Sequence, residues 1–329
     1  MKRTICVLLA LLTAFACMGC GGQEKALRKV ELSEVTRSVF YAPQYVALSN
    51  GFFADEGLDV SVTTAGGSDK AMTALLSGQA DICLAGPETG VYVYNGGKAD
   101  YPVIVGQLTK RDGSFLLSRI DEPDFDWESL RGKTVIGGRA GGMPIMTLCY
   151  VLKSHGLTPG QDVTVLDNIQ FNLMGGAFEG GTGDYVTLFE PTATEFMNAG
   201  KGYIVANVGL ASGEVPYTAY LVRQDTLTDD RAFVKSFLKA IYRAQKWIQV
   251  ATDEEVALAM QPYFPDSSLN SLKIVANSYR KTDSWKTEPV MYEEDYQRLL
   301  DVIDGSGQLT ARPPFAELID NSIAESVME

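Results

Sequence analysis

Residues 58–89 read LDVSVTTAGGSDKAMTALLSGQADICLAGPET, and this stretch decides the fold class. From Leu58 to Thr63 apolar and polar residues alternate, which predicts a strand with one buried face. Gly66-Gly67-Ser68 interrupts the alternation, and a helix is expected from Ala71 to Leu76 with Ser68 as its N-cap. A short apolar strand from Asp81 to Ala85 follows. A strand, a helix and a second strand in this order predict a parallel βαβ unit.

The same alternation of strands and helices extends along the chain and restarts near Lys133. Before the restart, the expected elements are a strand ending at Ser38–Tyr41, a helix from Pro43 to Ser49, a helix from Gly86 to Asn95 and a strand from Val103 to Leu108. After it, the expected strands are Lys133–Gly137, Val163–Leu166, Tyr185–Phe189 and Tyr217–Val222. Two helices open at Pro144 and at Glu190-Pro191-Thr192. Two long helices follow, one capped by Asp229 or Asp230 and running to about Ala251, the other over Glu293–Asp304. Two such series predict an α/β fold of two lobes with largely parallel sheets.

Loops at the carboxyl ends of the strands gather at one edge of such a sheet, and ligands bind there. Each of these loops leads into a helix N-terminus with free backbone donors. Where two lobes face each other, the loops would line a cleft between them. Five loops qualify: Ser38–Gln44, Gly66–Lys70, Gly86–Thr89, Gly138–Pro144 and Glu190–Thr192.

The composition excludes several classes of protein. The 329 residues carry 28 basic and 41 acidic side chains, a net charge of -13, which disfavours sequence-independent binding to nucleic acid. The single histidine, His155, leaves little room for a histidine-based zinc site or a Ser-His-Asp triad. We therefore expect no metal, no cofactor and no nucleic-acid partner.

The N-terminus is typical of a secretory signal. Lys2 and Arg3 precede the apolar stretch Ile5–Ala16, which is too short to span a bilayer. Gly19-Cys20 then resembles a bacterial lipobox, in which the cysteine is lipidated and becomes the first residue, although Cys17 stands where a leucine is usual. Plain secretion is the alternative. We expect a signal peptide over residues 1–19 and a polar tether over residues 20–28.

Lipidation of Cys20 would leave two cysteines for the folded part of the chain, since Cys6 and Cys17 belong to the signal segment. Cys83 and Cys149 both stand in apolar surroundings, which favours two separate buried thiols over a disulfide. The lipid would anchor the protein to the outer side of a bacterial membrane, at the cell surface or in the periplasm.

Several motifs resemble the SsuA/THI5-like (NMT1) family over about residues 30–320. The opening of that family is similar to Tyr41-Ala42-Pro43-Gln44-Tyr45-Val46-Ala47-Leu48 with Gly51-Phe52-Phe53 and Glu56-Gly57-Leu58-Asp59-Val60, and a second block is similar to Ala74-Leu75-Leu76-Ser77-Gly78-Gln79-Ala80-Asp81-Ile82. Weaker similarities follow at Leu130-Arg131-Gly132-Lys133, Gly156-Leu157-Thr158-Pro159, Glu190-Pro191, Trp285, Pro289 and Gly305–Leu309.

The resemblance implies the two-lobed periplasmic-binding-protein type II fold, with a ligand cleft between the lobes. It places lobe 1 at residues 29–112 plus 215–329 and lobe 2 at 113–214. It also implies a binding protein, not an enzyme, that captures a small molecule by lobe closure and delivers it to the transmembrane permease of an ABC importer. We expect a monomer.

Two other classes of function remain as alternatives, and the first is an enzyme. One branch of the family is a pyrimidine synthase that consumes its own histidine and uses a cysteine-rich iron motif and a PLP lysine. His155 stands at a helix end here, and the sequence has no cysteine cluster. An extracytoplasmic oxidoreductase would need a dinucleotide loop, but Gly137–Gly142 lacks the G-x-G-x-x-G spacing. The second class is a sensory or surface-interaction lipoprotein.

The candidate ligand-binding residues come from the five loops. Phe40 and Tyr41 offer rings for stacking, and Glu190 offers a carboxylate that could instead cap its own helix. Together these features favour a nitrogen heterocycle of the thiamine-pyrimidine type. Arg139 and the helix N-termini favour the alternative, a sulfonate or taurine. The full set is Ser38, Phe40, Tyr41, Gln44, Gly66, Gly67, Ser68, Gly86, Pro87, Glu88, Arg139, Gly141, Gly142 and Glu190.

Overall fold

The computed structural model describes residues 26–329, so the expected signal peptide, Cys20 and most of the tether lie outside the described residues. Within that range ten strands form two five-stranded sheets. The strands are β1 (Arg28–Glu34), β2 (Leu58–Thr64), β3 (Ile82–Ala85), β4 (Val103–Thr109), β5 (Ser114–Ser118), β6 (Thr134–Ile136), β7 (Thr164–Leu166), β8 (Tyr185–Phe189), β9 (Tyr203–Asn207) and β10 (Thr218–Val222).

Helices connect and cover the strands. They are α1 (Ala42–Ser49), α2 (Phe52–Asp55), α3 (Ser68–Leu76), α4 (Glu88–Asn95), α5 (Met143–Ser154), α6 (Met174–Glu179), α7 (Thr192–Asn198), α8 (Val208–Ser212), α9 (Gln224–Asp229), α10 (Arg231–Val250), α11 (Asp253–Met260), α12 (Leu269–Lys281), α13 (Glu293–Gly305), α14 (Phe315–Leu318) and α15 (Ser322–Ser326). Short 3-10 turns stand at Val39–Tyr41, Trp127–Leu130, Phe171–Leu173 and Gln261–Tyr263. No helix within residues 26–329 is both long enough and apolar enough to cross a membrane.

The two sheets have the same topology. Their strand orders are β2-β1-β3-β10-β4 and β7-β6-β8-β5-β9. In the first sheet only β10 runs against its neighbours, and in the second only β5 does. The expectation of two α/β lobes with largely parallel sheets is therefore confirmed. We call the part built on the first sheet the first lobe and the part built on the second sheet the second lobe.

The chain crosses between the lobes twice. It leaves the first sheet at Thr109 and enters the second at Ser114, and it returns between α8 and Thr218. Because β10 is inserted between β3 and β4, the C-terminal third of the chain comes back to the first lobe. The loops after the parallel strands of both sheets face each other beside these two crossings.

Where a strand or helix has one buried face, its buried residues follow the periodic pattern in the sequence. In β2, Leu58 is buried and Asp59, Ser61 and Thr63 are exposed, as alternation at a sheet edge requires. In α10, the buried side chains recur every three or four residues, and the Asp230 carboxylate accepts a hydrogen bond from the Phe233 amide as an N-cap. This long helix packs on α1 and closes the core of the first lobe.

Two local expectations are wrong. The strand expected to end at Ser38–Tyr41 ends at Glu34, and Val39–Tyr41 instead form a 3-10 turn because the Ser38 hydroxyl accepts a hydrogen bond from the Phe40 amide at 3.2 Å. Ser68 does not cap α3. Gly67 holds the N-cap position, and the Ser68 hydroxyl accepts from the Gly86 amide at 3.2 Å, which ties α3 to the loop after β3.

Candidate functional site

A cavity of about 440 Å³ lies between the two lobes. The second lobe lines it with residues 138–144, 170–172 and Phe189. The lining residues of the first lobe are Val35, Thr36, Ser38, Tyr41, Gly66, Gly67, Ser68, Asp69, Gly86, Glu88, Thr89 and Tyr92. Tyr217 and Thr218, at the second crossing, complete the lining. A cavity of this size, built by loops that follow strands of both sheets, is typical of a small-molecule site.

Glu88 lies deep in this cavity. It is the first residue of α4 and is only 1% exposed. Its Oε2 is buried and makes no hydrogen bond within the described part of the chain. The carboxylate folds back over Gly86, where a Cβ atom would lie 2.0 Å from Oε2. Glycine is therefore required at position 86 for the carboxylate to keep this position.

Burial dominates the electrostatics of Glu88. It raises the pKa of the Glu88 carboxyl to about 8, while the backbone N–H groups of Glu88 and Met143 act in the opposite direction. Burial also raises the pKa of Tyr41, Tyr92 and Tyr217, and the charge of Glu88 adds to each of these increases. The three phenols consequently stay protonated and can donate hydrogen bonds to a ligand.

Aromatic side chains form much of the cavity wall. Tyr41 and Tyr92 come from the first lobe, Phe171 and Phe189 from the second, and Tyr217 from the second crossing. The rings of Phe189 and Tyr217 pack 6.1 Å apart, and those of Phe171 and Phe189 pack 5.3 Å apart. The wall thus offers flat apolar faces to a ring-shaped solute.

Two contacts join the lobes across the cavity mouth. Arg139 Nη2 of the second lobe lies 2.7 Å from Asp69 Oδ1 of the first, and both side chains are about half exposed. The Tyr92 hydroxyl on α4 donates a hydrogen bond to the Gly141 carbonyl oxygen at 2.9 Å. These contacts hold the loop before α5 against α3 and α4.

The structure gathers ten of the fourteen candidate ligand-binding residues around this cavity. They are Ser38, Tyr41, Gly66, Gly67, Ser68, Gly86, Glu88, Arg139, Gly141 and Gly142. Four of the five predicted loops contribute to the lining. The fifth, Glu190–Thr192, does not.

Phe40 and Gln44 lie below the cavity, in the core of the first lobe. Phe40 is fully buried, and its ring packs against those of Phe189 and Tyr217, each 5.7 Å away. Gln44 Nε2 donates to Glu34 Oε2 at 2.9 Å, and its Oε1 accepts from the Tyr220 hydroxyl at 3.2 Å. Both side chains therefore support the loop that presents Tyr41 without lining the cavity themselves.

Pro87 and Glu190 also stand outside the lining. Pro87 is the N-cap residue of α4 and sets the direction in which Glu88 leaves the loop. The Glu190 carboxylate accepts hydrogen bonds from the Thr194 amide at 2.9 Å and the Thr194 hydroxyl at 2.7 Å. Two roles were considered for Glu190, capping of its own helix and contact with a ligand, and these hydrogen bonds correspond to the first. A contact with a ligand would require this pairing to break.

Several lining residues were not expected from the sequence. Gln170, Phe171 and Asn172 follow β7, so the rule that selected the other loops applies to this one too. Tyr92 stands one helical turn after Glu88 on α4 and faces the same way. Tyr217 carries no comparable sequence signal, because its position depends on how the second crossing meets the first lobe.

The histidine and the two cysteines within residues 26–329 do not line the cavity. His155 is exposed at the end of α5, where its ring stacks on Trp127 at 5.4 Å, away from the cavity. Cys83 and Cys149 are both free, as expected, but only Cys83 is fully buried, and Cys149 is partly exposed. Across residues 26–329 no group of three or more His, Cys, Asp or Glu side chains is placed to hold a metal ion.

Comparison with known proteins supports this description of the fold. YtlA of Bacillus subtilis (strain 168), whose name describes it as a candidate binding protein, is 43% identical over 313 residues, which are 95% of this chain and 93% of that protein.

Solved structures show the same fold at low sequence identity. The alkanesulfonate-binding protein SsuA from Xanthomonas axonopodis pv. citri has a TM-score of 0.72 at 14% identity, over 89% of this chain and 98% of that one. The nitrate-binding protein NrtA from Synechocystis PCC 6803 has a TM-score of 0.72 at 17% identity, over 92% of this chain and 88% of that one. The chain thus has the fold of these two binding proteins.

A family model described as NMT1/THI5 like matches residues 39–254, a span that contains every lining residue except Val35, Thr36 and Ser38. The resemblance inferred from the sequence motifs is confirmed by this match and by the relative described above. The chain belongs to the NMT1/THI5-like family.

Proposed function

We propose that this protein is the extracytoplasmic solute-binding component of an ABC importer, and that it catalyses no reaction. The observation that carries the proposal is a cavity of about 440 Å³ lined by both lobes, with the Asp69–Arg139 and Tyr92–Gly141 contacts across its mouth. A solute held there would be enclosed when the lobes close. Closure would create the surface that the transmembrane permease recognises.

For the solute, we favour a nitrogen heterocycle of the thiamine-pyrimidine type. The support comes from the aromatic wall around Tyr41, Tyr92 and Tyr217 and from the buried Glu88 carboxylate, which can accept hydrogen bonds from ring or amino N–H groups. A sulfonate or taurine is the second candidate, because Arg139 and helix N-termini also face the cavity. Glu88 takes the role that sequence reasoning gave to Glu190.

A thermal-shift panel of pyrimidines, thiamine, riboflavin, taurine and alkanesulfonates tests this proposal. At 100 times its dissociation constant a ligand adds about 2.7 kcal/mol of stability. Since each kcal/mol moves the unfolding midpoint of such a domain by roughly 2–4 °C, the shift should be several degrees. The bound compound should be recovered chemically unchanged. A compound that is turned over would favour an enzyme on the same fold.

Lobe boundaries and oligomeric state complete the proposal. We place the lobe boundaries within the two crossings, at residues 112/113 and 214/215, and propose a monomer with no nucleic-acid partner. Limited proteolysis would test the boundaries, because cleavage within the crossings should release fragments of the sizes that these limits predict.

We also propose that a lipid on Cys20 anchors the protein to the outer side of the bacterial membrane. The support is the sequence up to Cys20, in which a short apolar stretch ends in Gly19-Cys20. Cys20→Ala should leave the protein unlipidated, and mass spectrometry of the wild type should show an acylated cysteine as the first residue. A free N-terminus at another residue would contradict this anchoring.

A further inference from the structure

Three helices point their N-termini into the cavity. Helices α3, α4 and α5 begin at Ser68, Glu88 and Met143, and all three residues line it. The partial positive charge at helix N-termini makes such a place suitable for an anion. The cavity is therefore suited to hold a negatively charged group.

The protein places its own carboxylate there. Glu88 is the first residue of α4, and the backbone N–H of Met143, the first residue of α5, lowers the pKa of the Glu88 carboxyl. Glu88 therefore brings a carboxyl group into the part of the lining to which the N-termini of α4 and α5 both contribute. Burial raises the pKa of this carboxyl to about 8, so a protonated nitrogen bound beside it would favour its ionised form, whereas an anionic solute would oppose ionisation and be repelled once the group is ionised.

The other charged side chains of the lining do not change this balance. They are Asp69 and Arg139, which pair with each other at 2.7 Å near the mouth. The only cationic side chain of the lining is thus already neutralised by a carboxylate. Glu88 Oε2, in contrast, is buried without a hydrogen-bond partner among residues 26–329, so it can still accept a hydrogen bond.

We infer that Glu88 is the residue that selects the charge of the solute: it binds an N–H donor, best a protonated nitrogen, and excludes sulfonates and other anions. This inference rests on the proposed function and narrows its substrate class. Tyr41, Tyr92 and Tyr217 surround the same space, so the solute combines a ring with a nitrogen donor. A ring that carries an ammonium or amino group satisfies both requirements.

The experiment compares two probes with the same ring and opposite charge, benzylamine and benzenesulfonate, by ligand-observed NMR at millimolar concentration and at about pH 8.5, where the Glu88 carboxyl is mainly ionised and the amine is still mainly protonated. The wild type should bind benzylamine and not benzenesulfonate. Glu88→Gln should weaken benzylamine binding about tenfold or more, the loss expected for one charge-assisted hydrogen bond, and should admit benzenesulfonate. Glu195→Gln removes the same charge from an exposed position on α7 and should behave as the wild type.

Several results would overturn the inference. A wild type that prefers benzenesulfonate, or that fails to bind benzylamine, would show that Glu88 does not select the charge. Equal binding of benzylamine by wild type and Glu88→Gln would show that Glu88 does not contact the solute. Should Glu88→Gln fail to fold, the wild-type preference between the two probes still decides. The thermal-shift panel tests the proposed function separately, so these results would contradict the inference about Glu88 without contradicting the proposed function.

Discussion

The carboxylate of Glu88 keeps its position because Gly86 has no side chain. A Cβ at position 86 would lie 2.0 Å from Glu88 Oε2, far inside contact distance. Gly86→Ala should push the carboxylate toward the cavity centre, reduce solute affinity by about tenfold or more, and destabilise the fold by about 1–3 kcal/mol through overpacking. Urea denaturation and binding to the best compound of the thermal-shift panel measure the two effects.

Gly176→Ala is the matched control for that substitution. Gly176 lies within α6, and a Cβ there would have no atom within 4 Å. The same change should therefore leave solute binding unaltered and stabilise the helix by up to about 1 kcal/mol. If both variants lost affinity equally, the argument from Gly86 would be wrong.

The raised pKa of Glu88 predicts a dependence of stability on pH. Folding raises this pKa from an ordinary 4.5 to about 8, so the native state binds more protons than the unfolded state between these values. The free energy of unfolding of the ligand-free wild type should consequently fall, relative to Glu88→Gln, by at least about 1 kcal/mol as pH rises from about 5 to 8. Above about pH 9 the difference should be constant.

Urea denaturation of both proteins across this range gives the measurement. The comparison with Glu88→Gln is needed because burial also raises the pKa of other carboxyl groups, including Glu34 and Asp112. Those groups are shared by both proteins and cancel in the difference. A difference that does not change with pH would show that folding does not raise the pKa of the Glu88 carboxyl.

Helix α12 joins the two lobes through one hydroxyl. The Tyr279 side chain is buried, its hydroxyl donates to the Gly113 carbonyl oxygen at 3.2 Å, and it accepts from the Glu190 amide at 3.1 Å. Tyr279→Phe would leave both backbone groups unpaired. We expect a loss of about 1–3 kcal/mol in the free energy of unfolding, measured by urea denaturation.

Tyr292→Phe serves as the control. Tyr292 is 47% exposed, and its hydroxyl donates to Glu288, also at the surface. Water can replace this bond, so the change should cost less than about 0.5 kcal/mol. An equally small loss for Tyr279→Phe would mean that water reaches Gly113 and Glu190 as well.

Elements with one buried face could be predicted from their period, and fully buried strands such as β3, β4 and β10 could be predicted as short apolar runs, but β5 could not. The alternation in β2 and the three-to-four-residue spacing in α10 each define one face. Strand β5 is buried on both faces, so it shows no period. The apolar residues Val39–Tyr41 resemble a strand end just as well as a 3-10 turn, and the Ser38 hydrogen bond decides between them.

The same limit applies to the candidate site. Loops were predictable because they follow strands, and four of the five contribute to the cavity. The role of a single side chain was not, since Glu190 and Glu88 both stand at the start of a helix after a strand. Only the structure shows that the Glu190 carboxylate is paired with Thr194 and that Glu88 Oε2 is buried without a hydrogen bond within residues 26–329.

At the scale of the whole molecule, the two crossings are held side by side by ion pairs. Lys110 and Arg111 of the first crossing both contact Glu214 of the second, at 3.4 and 3.3 Å. Asp283, in the turn after α12, lies 2.7 Å from the Lys110 ammonium. Bending of the lobes about the two crossings would leave the contacts of Lys110 and Arg111 with Glu214 intact, because these residues lie on the crossings themselves.

The proposed lobe closure, which would bend the chain at these crossings, gives the last prediction. The Asp69–Arg139 pair joins the lobes at the cavity mouth, but both side chains are about half exposed, and such a pair contributes at most about 1 kcal/mol. The ligand-free protein should therefore open readily, and small-angle scattering should show a smaller radius of gyration once a solute binds. Asp69→Asn should enlarge the ligand-free form while leaving the bound form unchanged, because the solute then holds the lobes together. A solute that binds tightly and leaves the scattering of the wild type unchanged would contradict delivery by closure, since the permease would then have no means of distinguishing a loaded protein from an empty one.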